Sequence, residues 1–367
     1  MSIKIGIGTN LHITSSGGSW TAYWATRTPS SLTLTQLIPS TIRLNWSNSG
    51  SGFDGTSIER STDGVTYAEI DTVASGVVQY NDTGLTEKLT YYYRLRCYKG
   101  SNYSPYSNVA SLLLFSDELI LYITGLATPL SSGQKTKLET FIQALKTGLS
   151  IPALDDKFDV MYILAGETQE SSLKNLIKNS HHITAVNSPT FTALEGFTGN
   201  SSSVYLNANY KPSTDAVNVL LNSASWGIYC RTDEGAAAKI EYSSGSTIYG
   251  YLRYTGDLHK TRVNCGGDYE YANTSAIGNY VDVRRGATSS EMYKNNVSKL
   301  SSAIISTSVG NQNLFMLCFN NAGSPAFYSG KQLAFAFMGT QFSAAEVTSI
   351  GNAIEAYMDS NGKGVIP

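Results

Sequence analysis

Charge is scarce in this chain, and several function classes go with it. Asp, Glu, Lys and Arg make up 15% of the 367 residues, against the ~25% usual for a soluble domain. The net charge is −2 and no dense Lys/Arg run occurs, so the electrostatic footprint of a nucleic-acid binder is missing. No segment approaches the ~20 apolar residues of a membrane span. Residues 1–28 contain no apolar stretch of the secretory-signal type, so none is expected. The four cysteines (Cys97, Cys230, Cys265 and Cys318) lie far apart and show no C-x-x-C spacing. Neither metal knuckles nor a disulfide scaffold is expected, and buried free thiols in a reducing compartment are.

Catalytic constellations are equally sparse. His181 and His182 are adjacent, and neighbours on extended chain point opposite ways, so they serve a metal poorly. His12 and His259 stand alone in the sequence and are expected at the surface or in loops. Glycosidases on β-sandwiches carry carboxylates in an E-x-D-x-x-E pattern that alternation turns into one cleft. No such triplet occurs; Glu69 and Asp71 have the spacing of a pair but fall on what reads as a wet strand face. Asp155, Asp156 and Asp159 cluster without an EF-hand loop pattern and read as a solvated loop or helix end. There is no phosphate-loop Lys-Ser/Thr and no nucleophile elbow. The expectation is a protein without catalytic residues, without a metal site and without a cofactor.

What fills the gap is Tyr, Gly, Ser, Thr and Asn, with 24 tyrosines and 33 glycines. Hydroxyl-rich, weakly charged sequence of this kind favours strands. The predicted fold class is mainly β, with two β-sandwiches, a small helical lead-in and a C-terminal helix. Residues 1–28 form a Gly/Ser/Thr-rich arm carrying Trp20, Tyr23 and Trp24 in GGSWTAYW. Such an arm cannot bury enough apolar surface to fold alone. Its aromatic residues either dock on a partner or pack on the chain's own next domain.

Residues 29–115 read as short strands. TIRLNW places Ile42, Leu44 and Trp46 on one face, and Asp63-Gly64 marks a hairpin turn. In LTEKLTYYYRLRC, Tyr91, Tyr93, Leu95 and Cys97 alternate with Tyr92, Arg94 and Arg96. Leu85 and Tyr91 have the layout of a tyrosine corner, in which the hydroxyl bonds the turn backbone. Together with Pro29, Trp46, IERSTDG, YNDTGL and SPYSNVAS, these residues resemble a fibronectin type III domain, with no Arg-Gly-Asp loop.

Residues 116–187 read as a separate lead-in module. Leu138, Phe141, Ile142 and Leu145 form an apolar helix stripe capped by Ser131 with Gln134. FDVMYILAG reads as a buried strand, and ESSLKNLIKN as a second helix with Leu173, Leu176 and Ile177 inward. From 188 to 367 the strands return, among them WGIYCRT, with Trp226 read as core, and NLFMLCFN. Asn295-Asn296 suits a hairpin, and Ser343 with Glu346 forms a capping box ahead of Val347, Ile350, Ile354 and Tyr357.

The EMYKNN hairpin, NLFMLCFNNAGSPAFYSGKQLAFAFMG and FSAAEVTSIGNAIEAY resemble a concanavalin A-like (laminin G-like) sandwich. More narrowly, residues 116–364 resemble a module of tailed-bacteriophage virion proteins. That resemblance implies a virion structural protein, a fibre or decoration component, made in the host cytoplasm. It would attach through residues 1–28 to other virion proteins, act as a homo-oligomer, and display a lectin-like domain to host-surface or mucus glycans. Tyr249, Tyr251, Tyr254, Tyr269 and Tyr271 are the candidate glycan contacts, because Tyr faces stack on sugars; Trp20, Tyr23 and Trp24 are the candidate anchors. A bacterial carbohydrate-binding protein or glycosidase accessory module, and a ligand-free virion scaffold, are the competing readings.

Overall fold

The computed structural model describes residues 23, 24, 26–48 and 50–366. The chain is mainly β, its strands paired in antiparallel sheets, and it divides into two compact units at Phe115/Ser116.

The first unit contains β1 (Ser30–Leu37), β2 (Thr41–Ser47), β3 (Gly55–Ser61) and β4 (Ala68–Ala74). It continues with β5 (Gln79–Asp82), β6 (Thr90–Lys99), β7 (Asn102–Tyr103) and β8 (Ala110–Leu113). One sheet runs β1-β2-β5; the other runs β4-β3-β6, with β7 and β8 both pairing β6. This is the two-sheet order expected of a fibronectin type III-like sandwich. Alternation in β6 turns Tyr91, Tyr93, Leu95 and Cys97 inward. The first three join Ile42, Leu44, Trp46, Ile58 and Leu85 in one core. The tyrosine corner is present: the Tyr91 hydroxyl accepts from the Thr86 amide at 2.9 Å and donates to its carbonyl at 3.3 Å. On the other face of β6, Arg94 and Arg96 converge on Glu59 at 2.7 and 2.9 Å.

Two of the three candidate anchors belong to this unit. Trp24 is buried with Phe53 and Cys97, with Tyr23 packed against them, and the Tyr23 hydroxyl bonds the Gly52 carbonyl. Burying an aromatic side chain is worth about 1.5–3 kcal/mol, so these rings are held by the sandwich and are not free docking side chains. Trp20 and His12 lie outside the described residues.

The second unit opens with α1 (Asp117–Ile123) and α2 (Ser132–Leu149), followed by β9 (Phe158–Ile163). After β10 (Thr184–Val186), β11 (Thr190–Thr192), β12 (Gly196–Thr198) and β13 (Tyr205–Asn207) come β14 (Ala224–Cys230), β15 (Tyr242–Ser243) and β16 (Ile248–Tyr254). Then follow β17 (Leu258–Val263), β18 (Tyr269–Ala272), β19 (Gly278–Gly286), β20 (Ser289–Lys294) and β21 (Val297–Ser302). β22 (Phe315–Met316), β23 (Phe319–Asn321), β24 (Ser324–Ala326), β25 (Gln332–Gly339) and α3 (Ala344–Ser360) complete it. A seven-stranded sheet runs β10-β13-β22-β15-β16-β17-β18, and a larger one runs β11-β12-β25-β14-β19-β20-β21 with β9 also on β25.

The main core fills the space between these sheets and includes Trp226, Ile228, Tyr242, Leu252, Met292, Met316 and Ala336. The other face of β25 is covered as well. Phe335 meets Phe141 of α2 at 5.4 Å and Tyr357 of α3 at 5.5 Å. Coverage on both faces explains why QLAFAFMG is almost continuously apolar. Ser131 caps α2, and Ser343 with Glu346 caps α3 in a reciprocal box. Asn295 and Asn296 take φ of 50° and 66° between β20 and β21, as a tight hairpin requires.

Four expectations change. Residues 116–187 are not a module apart: all six residues of β9 are buried and five of them pair with β25, so the stretch is woven into the second sandwich. The predicted helix in ESSLKNLIKN stops after one turn, Gln169–Ser172. Beyond it the Asn175 side chain accepts from the Met161 amide, and the Leu176 amide donates to the Met161 carbonyl, so the chain hugs β9. NLFMLCFN is not one strand; Leu317, at φ 68°, separates β22 from β23. His259 is neither surface nor loop: it is fully buried and bonded to Asp282.

Candidate functional site

The seven-stranded sheet turns one face to the core and the other away from it. Alternation along β16 sends Ile248 and Leu252 into the core, and Tyr249 and Tyr251 to the opposite face. Gly250 lies opposite Trp226, where an added Cβ would stand 2.6 Å from the indole ring. Only a residue without a side chain lets that ring lie flat under the strand. On the neighbouring strand, Lys260 and Arg262 share the outer face, while His259, Thr261 and Val263 are buried.

The outer face carries a continuous run of rings. Tyr254 lies 4.8 Å from Tyr251, Tyr251 lies 5.6 Å from Tyr249, and Tyr249 lies 5.9 Å from Phe319. Phe327, about half exposed, extends the run at 6.1 Å from Phe319. Lys260 sits over the Tyr254 ring at 4.8 Å and Arg262 over the Tyr249 ring at 4.9 Å. Both cations reach Asp268, at 2.9 and 2.6 Å, and the Tyr249 hydroxyl donates to the same carboxylate.

Electrostatics follow from that geometry. Burial alone would raise the Asp268 pKa, but the bonds from Tyr249, Lys260 and Arg262 hold it below the usual carboxylate range. Lys260 is raised above the ordinary lysine value, chiefly by its bond to Asp268. Burial, with Tyr254 nearby, pushes the Tyr251 phenol up to about 12. The face therefore presents the partly exposed rings of Tyr251 and Tyr254 beside fixed charges, while Tyr249 itself is buried. Such a surface can stack against an apolar sugar face and offer hydrogen bonds at its edge.

The five tyrosines predicted as glycan contacts divide between two faces. Tyr249, Tyr251 and Tyr254 come together on the outer face. Tyr269 is a core residue and Tyr271 packs against that core, because the β17–β18 register sets Tyr271 opposite His259. Neither belongs to the outer face. Phe319 and Phe327 were missed. Their sequence reads as strand and turn, and only the break at Leu317 and the β23–β24 hairpin bring them to Tyr249.

Of the three clustered aspartates, Asp155 and Asp156 are exposed as expected of a solvated turn, but Asp159 is not solvated. Asp159 is buried and accepts from the amides of Val217, Asn218 and Val219 and from the Tyr210 hydroxyl. It shapes the loop before β14. Among the described residues no group of three His, Cys, Asp or Glu side chains converges on a metal position. Glu69 and Asp71 lie on the exposed strand β4.

No family model matches the chain, and no curated protein matches it. Among solved structures, an Fn3-like protein from Clostridium thermocellum is 25% identical, with a TM-score of 0.22. That match covers 24% of this chain and 95% of the other. A segment of titin is 15% identical over 24% of this chain and 31% of its own, with a TM-score of 0.22. A pectate lyase from Erwinia chrysanthemi is 18% identical over 23% of this chain and 27% of its own, with a TM-score of 0.20.

Proposed function

We propose that this chain is a non-enzymatic display protein of a bacteriophage virion, with the first sandwich as spacer and the second as a saccharide-binding head. The observation that carries the binding half is the run Tyr254–Tyr251–Tyr249–Phe319–Phe327, framed by Lys260, Arg262 and Asp268. Virion residence, partners among other virion proteins and homo-oligomer assembly rest on the sequence resemblance of residues 116–364 and on the low charge of the chain. Multivalent display would let individually weak sugar contacts add up.

The test is a polysaccharide array probed with the whole chain and with Tyr251→Ala/Tyr254→Ala. Binding to bacterial-surface or mucin glycans that drops at least tenfold in the double variant is the expected result. A blank array would return the protein to plain scaffolding. Mass spectrometry of purified particles tests the virion half on its own.

A further inference from the structure

A second candidate site lies at the rim of the larger unit, where β18 at the edge of one sheet meets β21 at the edge of the other. A cleft of about 420 Å³ opens there, lined by Tyr271, Asn273, Thr274, Lys294, Asn295 and Lys299 among others. Its lining contains two ammonium groups and no carboxylate, in a chain whose net charge is −2.

The hydrogen-bond inventory decides what it can hold. Lys294 Nζ donates to Asn273 Oδ1 and to the Ser275 carbonyl, both at 2.7 Å. An ammonium has three protons, so one remains. Asn273 is committed on its nitrogen side too, donating to the Leu252 carbonyl and the Tyr280 hydroxyl. Asn295 accepts from the Asn279 amide through Oδ1, which leaves its amide nitrogen as a donor. Lys299 is exposed and Thr274 is exposed with its hydroxyl. The nearby carboxylate of Asp233 is taken by Arg253 at 2.7 Å. Burial, and then the Lys299 charge, hold Lys294 below the ordinary lysine value, as befits a place short of negative charge.

We infer that this cleft binds an oxyanion, presented as the carboxylate of an acidic sugar or as free phosphate, between Lys294, Lys299 and the Asn295 amide. Two ammonium groups and an amide N–H with no carboxylate among them favour an anion rich in acceptor oxygens, and the Tyr271 and Thr274 hydroxyls can serve either role. The site stands apart from the aromatic face and does not rest on the saccharide reading.

The experiment is ligand-observed NMR on the whole chain, with glucuronate and inorganic phosphate titrated separately at fixed ionic strength and glucose as the uncharged control. Binding of either anion, with none of glucose at this site, is expected; which anion binds identifies the source. Lys299→Gln should weaken binding roughly two- to fivefold, and Lys299→Glu should abolish it. Because Lys299 is exposed, unchanged Trp226 emission verifies that these variants are folded. Lys294→Gln should weaken binding roughly tenfold or more. If neither anion binds, or if binding is indifferent to Lys299→Glu, the inference fails. Tyr251→Ala/Tyr254→Ala should leave anion binding intact, which separates this site from the aromatic face.

Discussion

Nε2 of His259 stands 3.0 Å from Oδ2 of Asp282, and neither side chain has any exposed surface. The imidazole is stacked on Tyr280 at 5.0 Å and lies 6.3 Å from Trp226. The pair joins β17 of one sheet to β19 of the other, a polar tie through an apolar core. A single hydrogen bond between Nε2 and Oδ2 closes the contact.

Removing one partner leaves a buried polar group unsatisfied, which typically costs about 1–3 kcal/mol. Asp282→Ala should destabilise the second unit by that amount. Trp226 is the only tryptophan after residue 115, so in a background with Trp20, Trp24 and Trp46 replaced by Phe, used for every Trp226 readout, urea unfolding followed by its emission reports this unit. The double variant with His259→Ala should lose less than the sum of the two single losses, because the partners share one interaction.

In the first unit, Tyr91→Phe removes the hydroxyl that serves both polar groups of Thr86. Two bonds of this kind are worth about 1–2 kcal/mol net. The urea midpoint of the first unit should fall accordingly while the Trp226 transition stays in place. Equal movement of both transitions would contradict the assignment of Tyr91 to an independently stable corner.

Gly250→Ala tests the close approach under the seven-stranded sheet. The new Cβ meets the Trp226 ring at 2.6 Å, so the indole must move. Overpacking of this type costs about 1–3 kcal/mol. A shifted Trp226 emission maximum in the folded protein, together with a lower midpoint, is the expected pair of readouts.

Glu234 sets a pH window. Burial favours its neutral form, yet bonds from Ser201, Lys239 and the Gly330 amide, with the Lys331 charge, bring its pKa to about 2 from an ordinary 4.5. A pKa depressed by folding gives stability that is fully present above about 4.5 and is lost as the pH falls toward about 2. Glu355, raised by burial, acts in the opposite direction. Glu234→Gln should therefore shrink the difference in second-unit stability between pH 6 and pH 3, measured against the parent protein, which cancels the other groups.

Local signals in the sequence translated into structure wherever a few neighbouring residues settle the outcome. Tyr91 with its turn, Ser343 with Glu346, Asn295-Asn296, and the stripe of Leu138, Phe141, Ile142 and Leu145 are of this kind. Each needs only backbone geometry within a handful of positions. The candidate site was half legible for the same reason. Strand alternation shows that Tyr249 and Tyr251 share a face, but which face of a sheet is inward depends on register with distant strands. Tyr271 lies inward because β17 pairs it with His259, and His259 lies inward because a second sheet 23 residues on supplies Asp282. Phe319 reaches Tyr249 only through a chain reversal at Leu317, a residue type that carries no local signal for positive φ.

The four cysteines are all free and all buried, one in the first unit and three in the second. The native chain is thus closed to thiol reagents, and each unit conceals a different number of labels. Brief alkylation under mild denaturation, read by mass, would show whether the two sandwiches open one at a time: a gain of one adduct marks the first, and a gain of three the second. The chain carries its own pair of opening counters, with no dye or inserted residue required.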